Sequence, residues 1–307
     1  MKRLTLTGSL AALLLASVLG APHVQAAPVT ASSAPGQAVL PAPGLDQVKA
    51  RLGKMLGRHV LDRMITPVTK PLATRRSGSA PALTLTTRPS TSAPLAAQEQ
   101  YADSSYAAGY VGNLGNQPAV GVAGTFNVLP VTSRTRFATI VGLGTLTNSH
   151  VPVSLQAGVD QNSQVAFFKV ADGIATGVLP VHNGDQVTSA IAQWGAGAWI
   201  VVLVDQTTGQ FFEQVLSFSP STTLNVPVWA MYSSDPQPAY FGFFPPVSFS
   251  NAIWLSSTSA NQQPLTSVPT LIQATMLMSP TGTIWPTEIV DPPGTGFSLW
   301  PCASCTS

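Results

Sequence analysis

Charge is what this chain has least of. Charged residues make up 8% of its 307 residues, and they are unevenly divided. Residues 1–100 hold eleven Lys/Arg against three Asp/Glu, and residues 101–307 hold three against nine. The larger, acidic part lacks basic patches, which argues against nucleic acid as a partner. Cysteine is nearly absent as well, with only Cys302 and Cys305 at the C-terminal end. No disulfide framework can hold such a chain, so a hydrophobic core must. Cys302-Ala-Ser-Cys305 has no further ligands beside it and no helix behind it. It therefore reads as a local disulfide or two thiols, not as a metal or thioredoxin-like site.

Further absences narrow the chemistry. His150 and His182 are the only histidines beyond residue 100, and neither has a His, Cys or Asp at i+2 or i+4 in the manner of a metal pair. We expect no metal and no cofactor. Gly142-Leu-Gly144 lacks the following helix of a phosphate loop. His182 with Asp185 or Asp205 is accompanied by no Gly-x-Ser-x-Gly elbow. Beyond the N-terminus no apolar run reaches the ~18 residues of a membrane-spanning helix.

What is present falls into three parts. Residues 1–26 have the form of a secretory signal peptide: Lys2 and Arg3, a short apolar core over 10–19, and Val24-Gln-Ala26 as a small-residue cleavage site. Export to the extracellular or periplasmic space follows. Residues 27–100 are basic and rich in Ala, Pro, Ser and Thr. Within them, positions 45–65 predict one amphipathic helix with Val48, Leu52, Leu56, Val60, Leu61 and Met64 on a stripe. Pro67 and Pro71 lie beyond its end. A basic helical segment ahead of an acidic domain is arranged like a pro-segment that docks on its own domain, or like a linker.

Residues 101–307 have an all-β texture. Runs such as Ala198-Trp-Ile-Val-Val-Leu-Val204 are punctuated by turns such as Asn183-Gly184, which predicts an antiparallel sandwich. Within it, Val151-Pro-Val-Ser-Leu-Gln-Ala-Gly-Val-Asp160 reads as a strand with Gln156, Gly158 and Asp160 on one face.

The order of these pieces resembles the glutamic peptidases (eqolisins). The pieces run from Ser105-Tyr-Ala-Ala-Gly-Tyr-Val111 through Ala123-Gly-Thr-Phe-Asn-Val-Leu-Pro130 and Ala138-Thr-Ile-Val-Gly-Leu-Gly144. Leu155-Gln-Ala-Gly-Val-Asp160 is the strongest match. The Thr208-Gly-Gln210 hairpin, Trp229, the Phe241 to Ala252 stretch and Thr275-Met-Leu-Met278 follow. The resemblance implies a concanavalin-like antiparallel β-sandwich with its site on a concave sheet. It also implies a Gln–Glu pair in which the Glu is the general base for a water and the Gln holds the developing oxyanion.

Gln156 keeps the Gln position. The Glu lies directly before the family's Trp, and here that place is Val228, before Trp229. Ile140, Gly144 and Lys169 depart from the family's polar pattern, while Asp160 and the aromatic Phe167 and Phe168 keep it. Valine takes no proton, so the resemblance implies a pseudoenzyme. Such a domain would bind peptide or another extended polymer through Gln156, Asp160, Phe167, Lys169 and Trp229, with its own 27–100 segment as a possible partner. The alternative is a working acid endopeptidase that pairs Gln156 with a substitute carboxylate: Glu213, Asp235, Glu288 or Asp291.

Overall fold

The structure is a computed structural model. It describes residues 45–69, 72, 83–84, 86–88, 98–104, 106–130, 137–147, 150–171, 173–220, 222–233, 245–257, 261–278, 282–287, 289 and 294–302. The expected signal peptide, residues 1–26, lies outside the described residues.

Two helices come first, α1 (Leu45–Leu56) and α2 (Arg58–Arg63). Four strands follow: β1 (Thr66–Pro67), β2 (Leu83–Thr84), β3 (Thr86–Arg88) and β4 (Gln98–Ser104). Next are β5 (Ala107–Asn113), β6 (Ala119–Asn127), β7 (Phe137–Gly144), β8 (His150–Val151), β9 (Val153–Asp160) and β10 (Val165–Val170). Then come β11 (Thr176–Pro180), β12 (Gln186–Gly195), β13 (Ala198–Asp205), β14 (Gln210–Ser217) and β15 (Val226–Ser233). The last are β16 (Val247–Ser256), β17 (Gln263–Pro264), β18 (Thr270–Met278), β19 (Gly282–Pro286) and β20 (Phe297–Cys302).

All but β2 and β8 join in one mixed sheet, and those two pair with each other. One half of the sheet runs β14–β13–β12–β6–β16 and the other β10–β9–β7–β15–β5–β18; β20 and β19 link them. Alternation along each strand sorts the apolar side chains into three layers. Val141, Leu143, Leu155 and Ala157 of one half meet Val201, Leu203, Phe212 and Leu216 of the other in a shared core. The opposite face of the first half carries Ile200, Val202, Val204 and Phe211. The opposite face of the second carries Ile140, Phe167, Val226, Val228 and Ala230. Strands buried on both sides read as continuous apolar runs, as β7 and β15 do.

The strand and turn pattern predicts an antiparallel sheet, and two pairings depart from it. β1 pairs with β14 and β4 with β18 in parallel. Both parallel pairings involve strands that precede β5, so they join the sheet at long range and not through hairpins. The amphipathic stripe lands where its periodicity predicts: Val48, Leu52, Leu56, Val60 and Met64 are buried with Met55 against the outer face of β12, β13 and β14. The helix is two pieces, however. Gly57 adopts φ +74 between them, a backbone state that breaks an α-helix and that glycine takes at no steric cost.

Candidate functional site

The site is a set of rungs across the outer face of β10, β9, β7, β15 and β5. Strand pairing aligns Lys169 with Gln156, Gln156 with Gly142, Gly142 with Val228, and Val228 with Val111. Residues directly paired across a sheet share a face, so these five positions form one transverse row. Gln156 and Val228 stand two strand spacings apart, roughly 9.5 Å. The adjacent rung aligns Phe167, Gly158, Ile140, Ala230 and Gly109. The two polar members of the first row are both buried: Gln156 and Lys169. Val228 is 0% exposed and packs with Val111, Ile140, Ala230 and Ile272.

Gln156 is 4% exposed and only half satisfied. Its Nε2 donates to the carbonyl of Val153 at 3.1 Å, three residues back on its own strand. Its Oε1 is buried with no hydrogen-bond partner. A β-bulge between Leu143 and Gly144 pairs Gly144 with Val153, and it brings Val153 over Gly142. A Cβ on Gly142 would meet the Val153 Cγ1 at 2.5 Å and the Leu155 carbonyl at 3.0 Å. The missing side chain is therefore what lets Val153 sit between Gln156 and position 228.

The nearby Gln161 is a useful contrast. It is buried too, yet its Oε1 accepts from the Leu129 N–H and its Nε2 donates to the Thr139 hydroxyl, both at 2.8 Å. Gln161 is a satisfied core glutamine; Gln156 retains an unused acceptor.

The other predicted residues separate. Asp160 shares the face of Gln156 but lies four residues along β9, about 13 Å away. Its carboxylate accepts from the N–H groups of Asn162 and Ser163 and so closes the turn after the strand. It also stands in the rung of Ala138 and Tyr232. Burial, with Asp160 as a second cause, pushes the Tyr232 phenol well above its ordinary value. Phe167 lies on the Gln156 face. Trp229 does not: it is fully buried in the shared core, where its indole N–H donates to the Ala123 carbonyl at 2.8 Å. Alternation dictates this, since neighbours 228 and 229 must point to opposite faces.

Among the candidate substitute carboxylates, Glu213 is on β14 opposite Val202, on the face covered by α1 and α2. Burial raises its carboxyl to about 7, and its Oε2 has no hydrogen-bond partner. The shared core separates it from Gln156. Asp235, Glu288 and Asp291 lie outside the described residues. His182 is on a turn whose Asp185 carboxylate accepts from its N–H at 2.6 Å, a capping arrangement. Cys302 is disulfide-bonded, and the sequence offers only Cys305 as its partner. Among the described residues no three His, Cys, Asp or Glu side chains gather as a metal site, and no helix is long and apolar enough to cross a membrane.

No family model and no curated protein matches the chain. Solved structures do. Scytalido-glutamic peptidase bound to a peptide-based transition-state analogue aligns at 16% identity and TM-score 0.50, over 64% of this chain and 98% of that one. A second structure of that peptidase, with a transition-state analogue inhibitor, gives the same figures. SCP-B, a member of the eqolisin family in complex with the tripeptide Ala-Ile-His, aligns at 17% identity and TM-score 0.48, over 64% of this chain and 98% of that one. At such identity the likeness speaks to the fold: the chain has an eqolisin-like, mostly β architecture.

Proposed function

We propose that this chain is an exported, eqolisin-like domain that binds extended peptide on the face carrying Gln156 and carries out no peptide hydrolysis. The observation that carries the reading is the row Lys169–Gln156–Gly142–Val228–Val111. It holds an amide at the position that the resemblance assigns to the family's Gln and an apolar side chain at the position it assigns to the Glu. A general base contributes about 10²–10⁴-fold to such a reaction, and none of it survives a valine. Asp160 and the one candidate substitute carboxylate that is described are placed elsewhere: Asp160 closes a turn and Glu213 is on the far face. The unused Gln156 Oε1 is a buried acceptor, and leaving it unpaired costs about 1–3 kcal/mol. A peptide N–H is the group that would satisfy it.

The face is closed as it stands, so binding requires a covering segment to move. We assign that role to those of the pro-like residues 27–100 that carry β2 and β3, because α1 and α2 lie on the opposite face. Their β2 pairs Leu83 with Val151, a member of the same apolar cluster, and their β3 pairs with β4. The test is peptide-array binding by the full chain before and after limited proteolysis between α2 and β4. Cleavage should raise binding, and Gln156→Ala should remove it. Equal binding by the Gln156→Ala variant would defeat the proposal.

A further inference from the structure

Away from that face, β19 and β20 form a two-stranded ribbon in which Trp285 is the direct partner of Trp300. The alternate residues, Ile284 and Leu299, are buried in the shared core, so the register sends both indoles outward. They are 39% and 46% exposed, and no other tryptophan or phenylalanine side chain whose burial is described is as exposed. One rung further along lies a row of hydroxyls on the same surface. Ser298 pairs with Ser248 of β16, with their Oγ atoms 3.1 Å apart. The Thr287 Oγ1 accepts from the Ser298 N–H at 2.9 Å. None of β16, β19 and β20 contains a charged residue.

We propose that the Trp285–Trp300 surface is a platform for a neutral glycan. Large exposed aromatic rings cost solubility and mark contact sites. An indole offers a flat apolar face with a polar edge, and a pyranose offers the complement: an apolar C–H face rimmed by hydroxyls. The Ser248, Ser298 and Thr287 hydroxyls lie about 6.8 Å from the indoles along the strands, within reach of the rim of a sugar stacked on them. The uncharged strands give an anionic polymer no cation to pair with. On the described strands β19 and β20 the exposed apolar side chains are these two rings, beside hydroxyls, unlike the contiguous apolar core of a protein–protein contact.

The test uses the full chain and isothermal titration with neutral hexasaccharides of glucose, xylose, mannose and N-acetylglucosamine. At least one should bind saturably. Trp285→Ala and Trp300→Ala should each weaken it by about ten-fold, as loss of an aromatic anchor does. Ser298→Ala should weaken it by about two- to five-fold. Gln156→Ala should leave it unchanged, which separates this surface from the peptide face. Both indoles are at the surface, and near-ultraviolet circular dichroism checks that the variants remain folded. The proposal is overturned if no hexasaccharide binds, or if the double tryptophan variant binds equally. It is also overturned if the tryptophans instead govern co-sedimentation with phosphatidylcholine vesicles or self-association in sedimentation equilibrium.

Discussion

Each outer face of the sheet holds, among the described residues, a buried polar atom without a partner, and the two atoms differ in kind. On the face of β12, β13 and β14, the Glu213 Oε2 lies on the side where α1 and α2 bury six apolar side chains. On the face of β9, β7 and β15, the Gln156 Oε1 sits in a row with Gly142 and Val228. The first group ionises, and burial raises the pH at which it does so. The second is neutral at every pH and can only be satisfied by a donor. The same placement removes the most obvious rescue of catalysis, since the carboxyl with a raised value is on the wrong side of the core.

The largest effect should come from breaking the helix-covered face. Leu52→Asp places a charge in the apolar stripe against that sheet. It should cost about 3–5 kcal/mol, the scale of an uncompensated buried charge, read as a fall in the denaturant midpoint. If the midpoint is unchanged, α1 is not a working part of the fold.

On the other face the two glutamines can be separated. Gln161→Ala strands the Leu129 N–H and the Thr139 hydroxyl, and should cost about 2–4 kcal/mol. Gln156→Ala removes one hydrogen bond to Val153 and relieves one unpaired acceptor, so its cost should be under about 1 kcal/mol. Urea unfolding of both variants measures the difference. Equal losses would make Gln156 a second structural glutamine and would count against a binding role.

A smaller effect is expected from Glu213. Its carboxyl is raised from 4.5 to about 7 by burial, so the folded state holds a proton that the unfolded state releases. The resulting stability is fully present below about pH 4.5 and is lost as pH rises through 7. After discounting for solvent screening this amounts to about 1 kcal/mol. Glu213→Gln should flatten the stability profile between these limits, measured by thermal unfolding across pH. A profile unchanged by the substitution would place the titration elsewhere.

These contrasts show which parts of the molecule were legible in the sequence. Local periodicity carried the stripe of α1 and α2 and the alternation of β9, because both are properties of neighbouring residues. It also contained the placing of Trp229, since any strand that puts position 228 on one face puts 229 on the other. The resemblance, which treats a Glu-Trp pair as one landmark, obscured that. The break at Gly57 was visible only as a glycine. Pairings over long sequence distance were not legible. Examples are the parallel additions of β1 to β14 and β4 to β18, the assignment of Glu213 to the far face, and the register that sets Trp285 against Trp300. Each depends on where a distant strand docks, which no local pattern encodes.

Whether the Gln156 face binds without cutting is decided by proteolysis of a denatured protein substrate. The purified chain is assayed between about pH 2 and pH 5, the range where a carboxylate base would act. No cleavage above background is expected, before or after limited proteolysis between α2 and β4, and little gain from Val228→Glu. That gain should be small because position 228 stands two strand spacings from Gln156, with Val153 between them. Pepstatin-insensitive cleavage by the unaltered chain that vanishes on Gln156→Ala would refute binding without cutting and mean that another carboxylate serves as the base.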